Sequence, residues 1–99
     1  MIKKLEEYKI KKIYMKILTE EETDRYKAKI NKLKRDIEEV ESFINSQDAY
    51  TKKILIERYI KGNTWQEVAY KVIGYKGKAD TVRTYIKRYL NKHGKEKRI

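Results

Sequence analysis

A basic stretch near the C-terminus carries the side chains best suited to contact a nucleic acid. Helical spacing places Val82, Tyr85 and Ile86 on one face and leaves polar residues on the other. Arginine, lysine and threonine read base edges when an α-helix enters the major groove of DNA. We expect base-edge contacts from Thr81, Arg83, Thr84 and Lys87. We expect phosphate contacts from Lys76, Lys78 and Arg88. The alternative is that these charges only solvate a helix surface.

The residues before this stretch predict two helices that would support it. A polar break at 45–48 is followed by a helix that runs to about Lys61, and Gly62 is placed to end it with a left-handed cap. Thr64 and Glu67 match a capping box for a short second helix, which Gly74 ends. With Asp80 capping a third helix, residues 47–91 are predicted to form a helix-turn-helix unit whose recognition helix spans about 81–90.

Residues 1–46 are predicted to form an arm of two helices. A stripe at helical spacing on the first comprises Ile10, Ile13, Tyr14, Ile17 and Leu18. It is expected to pack on the following helix, with membrane or partner binding as the alternative. Thr19 and Glu22 match a capping box for the second helix.

The second helix carries a heptad seam. Its members are Tyr26, Ile30, Leu33, Ile37, Val40 and Ile44, at spacings of 4, 3, 4, 3 and 4 residues. This seam can pair with a second copy of the chain or be covered by the first helix. Both arrangements stay open at this point.

Composition supports an all-α, intracellular protein that binds a polyanion. The 99 residues contain no proline and four glycines, which favours helix, and no cysteine. The net charge is +11, of which residues 49–99 carry fourteen Lys/Arg against four Asp/Glu. Residues 20–48 are instead acidic, with six Lys/Arg against nine Asp/Glu. This partition directs the basic end toward nucleic acid. Residues 92–99 are expected to be a basic tail.

Catalytic and membrane functions are not expected. The only histidine, His93, has no cysteine partner, and the sequence has no phosphate-binding loop of the GxxxxGK[ST] type. The acidic cluster at 20–24 suits a helix N-terminus better than a metal, so neither a metal nor a cofactor is predicted. No apolar run is long enough to cross a membrane, and lysines interrupt any leader-like segment, so a cytoplasmic location is expected.

Residues 48–90 resemble region 4 of bacterial sigma factors and, more closely, the RinA/ArpU-type regulators of phage late-gene transcription. The residues that carry the resemblance are Arg58, Tyr59, Gly62, Trp65, Val68, Ala69, Val82, Tyr85 and Leu90. The resemblance implies an all-helical DNA-binding protein that activates phage or mobile-element promoters in a bacterial host. The turn after Ile73 is longer than the compact form, so the positions of Arg83 and Thr84 on the helix could shift by a residue or two.

Double-stranded DNA is therefore the expected partner, with host RNA polymerase and a second copy of the chain as further candidates. Two other functions remain open. One is a DNA-recognition subunit for packaging, like a phage small terminase, which requires a ring-forming oligomer. The other is a module that binds a sigma factor or polymerase without binding DNA.

Overall fold

The computed structural model describes residues 1–21, 24–74 and 76–96, with the side chains of all except residues 76 and 93–96. The predicted all-α class is confirmed, since this part of the chain forms helices and helical turns without a β-strand. In chain order the α-helices are α1 (Ile2–Glu6), α2 (Tyr8–Glu20), α3 (Lys27–Asn45), α4 (Ala49–Leu55), α5 (Trp65–Ile73) and α6 (Ala79–Glu96). None of these helices has the length and apolar character needed to cross a membrane.

In the arm, α1 and α2 fold back along α3. The seam predicted on α3 is covered within the chain in its C-terminal half, where Leu33, Ile37, Val40 and Ile44 are 9% exposed or less. Tyr26 and Ile30, at the N-terminal end of the seam, are only half-buried. Of the two arrangements left open by the sequence, the structure contains the intramolecular hairpin.

α2 packs on α3 with a different face from the one predicted. Ile10, Ile13 and Ile17 lie on the outside of the hairpin, 70%, 59% and 51% exposed. The buried side chains of α2 are instead Tyr8 and Leu18. The prediction that the isoleucine stripe packs on the next helix is therefore wrong, except for Leu18 at its end.

Polar contacts accompany the inward face of α2. The Lys11 ammonium lies 3.0 Å from an Asp36 carboxylate oxygen and 3.2 Å from Glu7. The Tyr8 hydroxyl donates to Glu41 at 2.6 Å. Half-exposed ion pairs contribute only about 0.2–1 kcal/mol each. They add to the burial of Tyr8 and Leu18, the two buried side chains of α2.

Thr19 does not cap the second helix of the arm. It lies inside α2, and its hydroxyl donates to the Met15 carbonyl at 2.7 Å, one helical turn earlier. Glu22, its expected partner, lies outside the described residues. The predicted break between the two helices is nevertheless present, because α2 ends at Glu20 and a 3₁₀ turn at Asp24–Tyr26 leads into α3.

The predicted caps at the starts of α4 and α5 are confirmed. The Asp48 carboxylate accepts from the Thr51 amide at 2.7 Å at the start of α4, and the Thr64 hydroxyl accepts from the Glu67 amide at 3.2 Å at the start of α5. α4 continues as a π-helical turn at Ile56–Ile60. Gly62 (φ 76°) and Gly74 (φ 92°) then take the left-handed conformation that glycine adopts at little cost.

The last helix is longer than predicted. The prediction that Asp80 caps this helix is wrong, because α6 begins at Ala79 and Asp80 lies in its first turn. A carboxylate there still interacts favourably with the positive end of the helix dipole. The helix continues to Glu96 and so includes much of the predicted basic tail, while residues 97–99 lie outside the described part of the chain.

The two predicted segments share a hydrophobic core. Leu5, Tyr8 and Val40 from the arm join the same buried cluster as Leu55 and Ile86 from the C-terminal helices. Ala69 is fully buried in this cluster, and its small side chain permits close packing of α5. The arm therefore covers the unit that positions α6 and supplies part of its core.

Candidate nucleic-acid interface

α6 is fixed on one side and open on the other. Val82, Ile86 and Leu90 are at most 4% exposed and bind the helix to the core. The outward side chains are all exposed: Thr81, Arg83, Thr84, Lys87 and Arg88. Within the described part of the chain, none of these five side chains forms a hydrogen bond or an ion pair. They are available to contact another molecule.

The expected contact residues divide between two edges of α6. Arg83 and Lys87, one helical turn apart, line a cleft of about 280 Å³ together with Trp65, Arg58 and Glu6. We call this the Trp65 cleft. Its walls come from α1, the end of the α4 segment, α5 and α6, so the arm forms part of the surface around Arg83.

The other edge of α6 forms a wider groove. Thr81, Thr84 and Arg88 line it with Tyr85 and Tyr89, and its volume is about 610 Å³. We call it the Tyr85 groove. Arg88, expected to contact phosphate, thus lies beside two threonines expected to contact base edges. The expected base-reading set does not form one cluster.

The two lysines expected to contact phosphate flank the start of α6. Both belong to the 3₁₀ turn Lys76–Lys78, which leads directly into the helix. Lys78 is exposed, and the side chain of Lys76 lies outside the described residues. A cation at this position adjoins the end of α6 that is expected to point into a groove of DNA.

Hydroxyl contacts fix α6 to the start of α4. The Thr51 and Tyr85 hydroxyl oxygens are 2.7 Å apart and share a hydrogen bond. The Tyr85 ring also meets Tyr50 edge-on, with ring centroids 5.3 Å apart. One turn later the Tyr89 hydroxyl donates to the Gln47 side-chain oxygen. These contacts limit the movement of α6 against its support and keep its outer residues in place.

The structure adds Arg58 to the residues of the Trp65 cleft. The sequence alone did not predict a contact between Arg58 and another molecule. The Arg58 guanidinium carbon lies 4.7 Å from the centroid of the Trp65 ring, a cation–π contact. The same guanidinium donates to the Asn63 carbonyl at 3.0 Å. Arg58 therefore holds the turn before α5 and adds a third cation to the Trp65 cleft. The contact joins residues on both sides of the Gly62 turn, which helix periodicity cannot reveal.

A nearly buried carboxylate organises the same turn. Glu57 is 6% exposed and accepts hydrogen bonds from Lys61 at 2.9 Å and from the Asn63 amide at 2.6 Å. The Lys71 ammonium, from α5, lies 3.3 Å from the second carboxylate oxygen. These partners, Lys61 foremost, hold the pKa of Glu57 below its ordinary value despite its burial. The ionised carboxylate links the α4 segment to α5.

The outer surface of α6 carries hydroxyl, guanidinium and ammonium groups. In the described residues no group of histidine, aspartate and glutamate is arranged to hold a metal ion. No protein family, no curated protein and no solved structure matches this chain in sequence or fold.

Proposed function

We propose that this chain is a sequence-specific, double-stranded DNA-binding transcription regulator. In this proposal α4, α5 and α6 act as a helix-turn-helix unit and α6 enters the major groove. The observation that carries the proposal is the outer surface of α6. It presents two threonines and three cations free of side-chain partners in the described structure, on a helix whose inner face is fully packed.

Charge supports a nucleic acid as the partner. Residues 49–99 carry an excess of ten positive charges, and Lys78, Arg83, Lys87 and Arg88 all lie on or next to α6. Neutralising phosphates with such side chains releases condensed counterions, which drives binding at moderate salt. A helix surface that only needed solvation would not require this excess over the acidic residues.

The contact residues on the two edges of α6 have different roles in this proposal. We propose that Arg83 and Lys87 contact bases from the side of the Trp65 cleft, and that Thr81 and Thr84 do so from the Tyr85 groove. Lys76, Lys78 and Arg88 contact phosphates. Arg58 holds Trp65 beside Arg83, and its guanidinium can donate a hydrogen bond to a DNA backbone phosphate at the rim of the cleft.

The biological setting is proposed from the resemblance of residues 48–90 to the RinA/ArpU-type regulators. On that basis the chain acts in the cytoplasm of a bacterial host at phage or mobile-element promoters. Host RNA polymerase is the corresponding protein partner.

Gel-shift titrations test the proposal with the best-bound duplex from a random pool and an unrelated duplex. Arg83→Ala and Lys87→Ala should weaken the best-bound duplex by about 5-fold to 150-fold, the effect of about 1–3 kcal/mol for a base contact. Lys78→Ala should weaken both duplexes alike and lower the salt slope by about one. Lys34→Ala, which removes an exposed lysine of the arm, is the matched control. Equal affinity in all four variants and the wild type would refute the proposal.

A further inference from the structure

A second apolar face of α2 is largely exposed among the described residues, although the Lys29 ammonium lies 5.0 Å from the centroid of the Tyr14 ring at its edge. Ile10, Ile13 and Ile17, spaced three and four residues apart, are exposed by 70%, 59% and 51%, and Tyr14 beside them by 37%. We call these four residues the outer α2 stripe. The opposite face of the same helix already buries Tyr8 and Leu18. A soluble helix normally carries one apolar stripe, and a contiguous exposed one marks an interaction surface.

The charges of the arm indicate what can cover the stripe. Residues 1–48 contain twelve Lys/Arg and eleven Asp/Glu, while nearly all of the net charge of +11 lies in residues 49–99. Residues 1–19 alone carry six Lys against two Glu, but the acidic residues of 20–48 offset most of this excess, so the arm attracts an anionic membrane or DNA less than residues 49–99 do. It does permit close approach of an identical arm, because two such surfaces do not repel each other.

The edges of the stripe carry opposite charges. With Ile10, Ile13 and Ile17 at the seam, Lys16 falls on one edge and Glu21 on the other, and both are exposed. When two such helices pair in parallel and in register, a residue on the first edge of one helix faces the second edge of its partner. The two facing residues are five positions apart in sequence. Lys16 of each copy then faces Glu21 of the other copy. In an antiparallel pair each edge would face the same edge of the partner helix, and Lys16 would gain no acidic partner.

We propose that the outer α2 stripe is a self-association surface, through which two copies of the chain pair their α2 helices in parallel. The surface is distinct from the heptad seam on α3, much of which the hairpin already buries. The proposal does not depend on DNA binding. A stable interface buries roughly 1,200–2,000 Å² in total, more than four side chains on each copy provide. The pair is therefore weak and its population depends on protein concentration.

Sedimentation equilibrium of the full chain without DNA, over a wide range of concentrations, tests the proposal. The wild-type mass should rise from one chain toward two as concentration increases, while Ile13→Lys stays at one chain throughout. Ile73→Lys, the same change at an exposed isoleucine on α5, should behave like the wild type. Equal thermal melting of all three proteins in dilute solution verifies that they are folded.

Three results would overturn the proposal: a wild-type chain that is monomeric at every concentration, pairing that survives Ile13→Lys, or equal loss in Ile73→Lys. Flotation of a monomeric wild type with phosphatidylserine vesicles, abolished by Ile13→Lys, would assign the stripe to a membrane surface instead.

A charge exchange tests the parallel arrangement. Lys16→Glu should weaken pairing by placing two carboxylates together, and the double variant Lys16→Glu/Glu21→Lys should restore it. Because the chain has no cysteine, Ile17→Cys introduces a unique thiol. Parallel pairing places the two thiols opposite each other, so mild oxidation should cross-link the pair. A double variant as weak as Lys16→Glu, without cross-linking at residue 17, would rule out the parallel pair.

Discussion

Thr51 and Tyr85 share a hydrogen bond of 2.7 Å between their hydroxyl oxygens, across 34 residues of sequence. Thr51 is fully buried in the first turns of α4, and Tyr85 lies at the middle of α6. The bond therefore connects the support of the unit to the helix whose outer face is proposed to contact DNA. The two hydroxyls meet in a part-buried contact between α4 and α6, beside the Asp48 carboxylate that caps α4.

Removing this bond should destabilise the fold measurably. Thr51→Val keeps the shape of the side chain and should lower the free energy of unfolding by about 1–2 kcal/mol, because Tyr85 loses its partner. Chemical denaturation measures the change. Tyr85→Phe should cost a similar amount, and the double variant should cost clearly less than the sum of the two. Strict additivity would mean that the two hydroxyls do not interact.

The Glu57 network predicts a pH dependence of stability. The hydrogen bonds from Lys61 and its neighbours lower the folded-state pKa of Glu57. Its contribution to the free energy of unfolding is therefore fully present above the ordinary glutamate pKa and is lost as the pH falls through the lowered folded-state pKa. Glu57→Gln should be less stable than the wild type by about 1–3 kcal/mol at neutral pH. That difference should shrink in acid.

Urea denaturation of wild type and Glu57→Gln from neutral pH to below about pH 4 measures this difference. Glu38→Gln, at an exposed position on α3, is the control and should stay close to the wild type throughout. A gap between wild type and Glu57→Gln that stays constant as the pH falls would contradict the role of the ionised carboxylate.

The rotation of α2 predicts opposite sensitivities for two isoleucines of the arm. Ile37, on α3, is 4% exposed, whereas Ile10, on α2, is 70% exposed. Ile37→Ala should lower the free energy of unfolding by about 2–4 kcal/mol through the cavity it leaves. Ile10→Ala should change it by less than about 0.5 kcal/mol. Denaturation in dilute solution compares them. A loss for Ile10→Ala as large as that for Ile37→Ala would show that α2 packs with the other face.

Local signals made the helix boundaries predictable. Asp48 and Thr64 cap helices through their own side chains, and Gly62 and Gly74 allow a backbone conformation that other residues resist. Each of these effects acts within a few residues of sequence. The all-α class and the inner face of α6 follow for the same reason, since periodicity is a local property.

Long-range choices were not predictable. The apolar pattern of α2 fits two faces, and the face that is buried meets partners distant in sequence, such as Asp36, 25 residues from Lys11. The position of Arg58 over Trp65 depends on the path of the chain around Gly62. The division of the expected contact residues between the Trp65 cleft and the Tyr85 groove likewise depends on what packs beside α6. In each case the deciding partner lies beyond the reach of helix periodicity.

Selection of bound duplexes from a random pool tests whether α6 recognises a DNA sequence. If α6 reads base edges, successive rounds with the wild type should enrich a common sequence. The same selection with Arg83→Ala should relax the preference at one position of that sequence. A pool that stays random while the protein still retains duplex DNA, or an identical preference in wild type and Arg83→Ala, would contradict base reading by this helix.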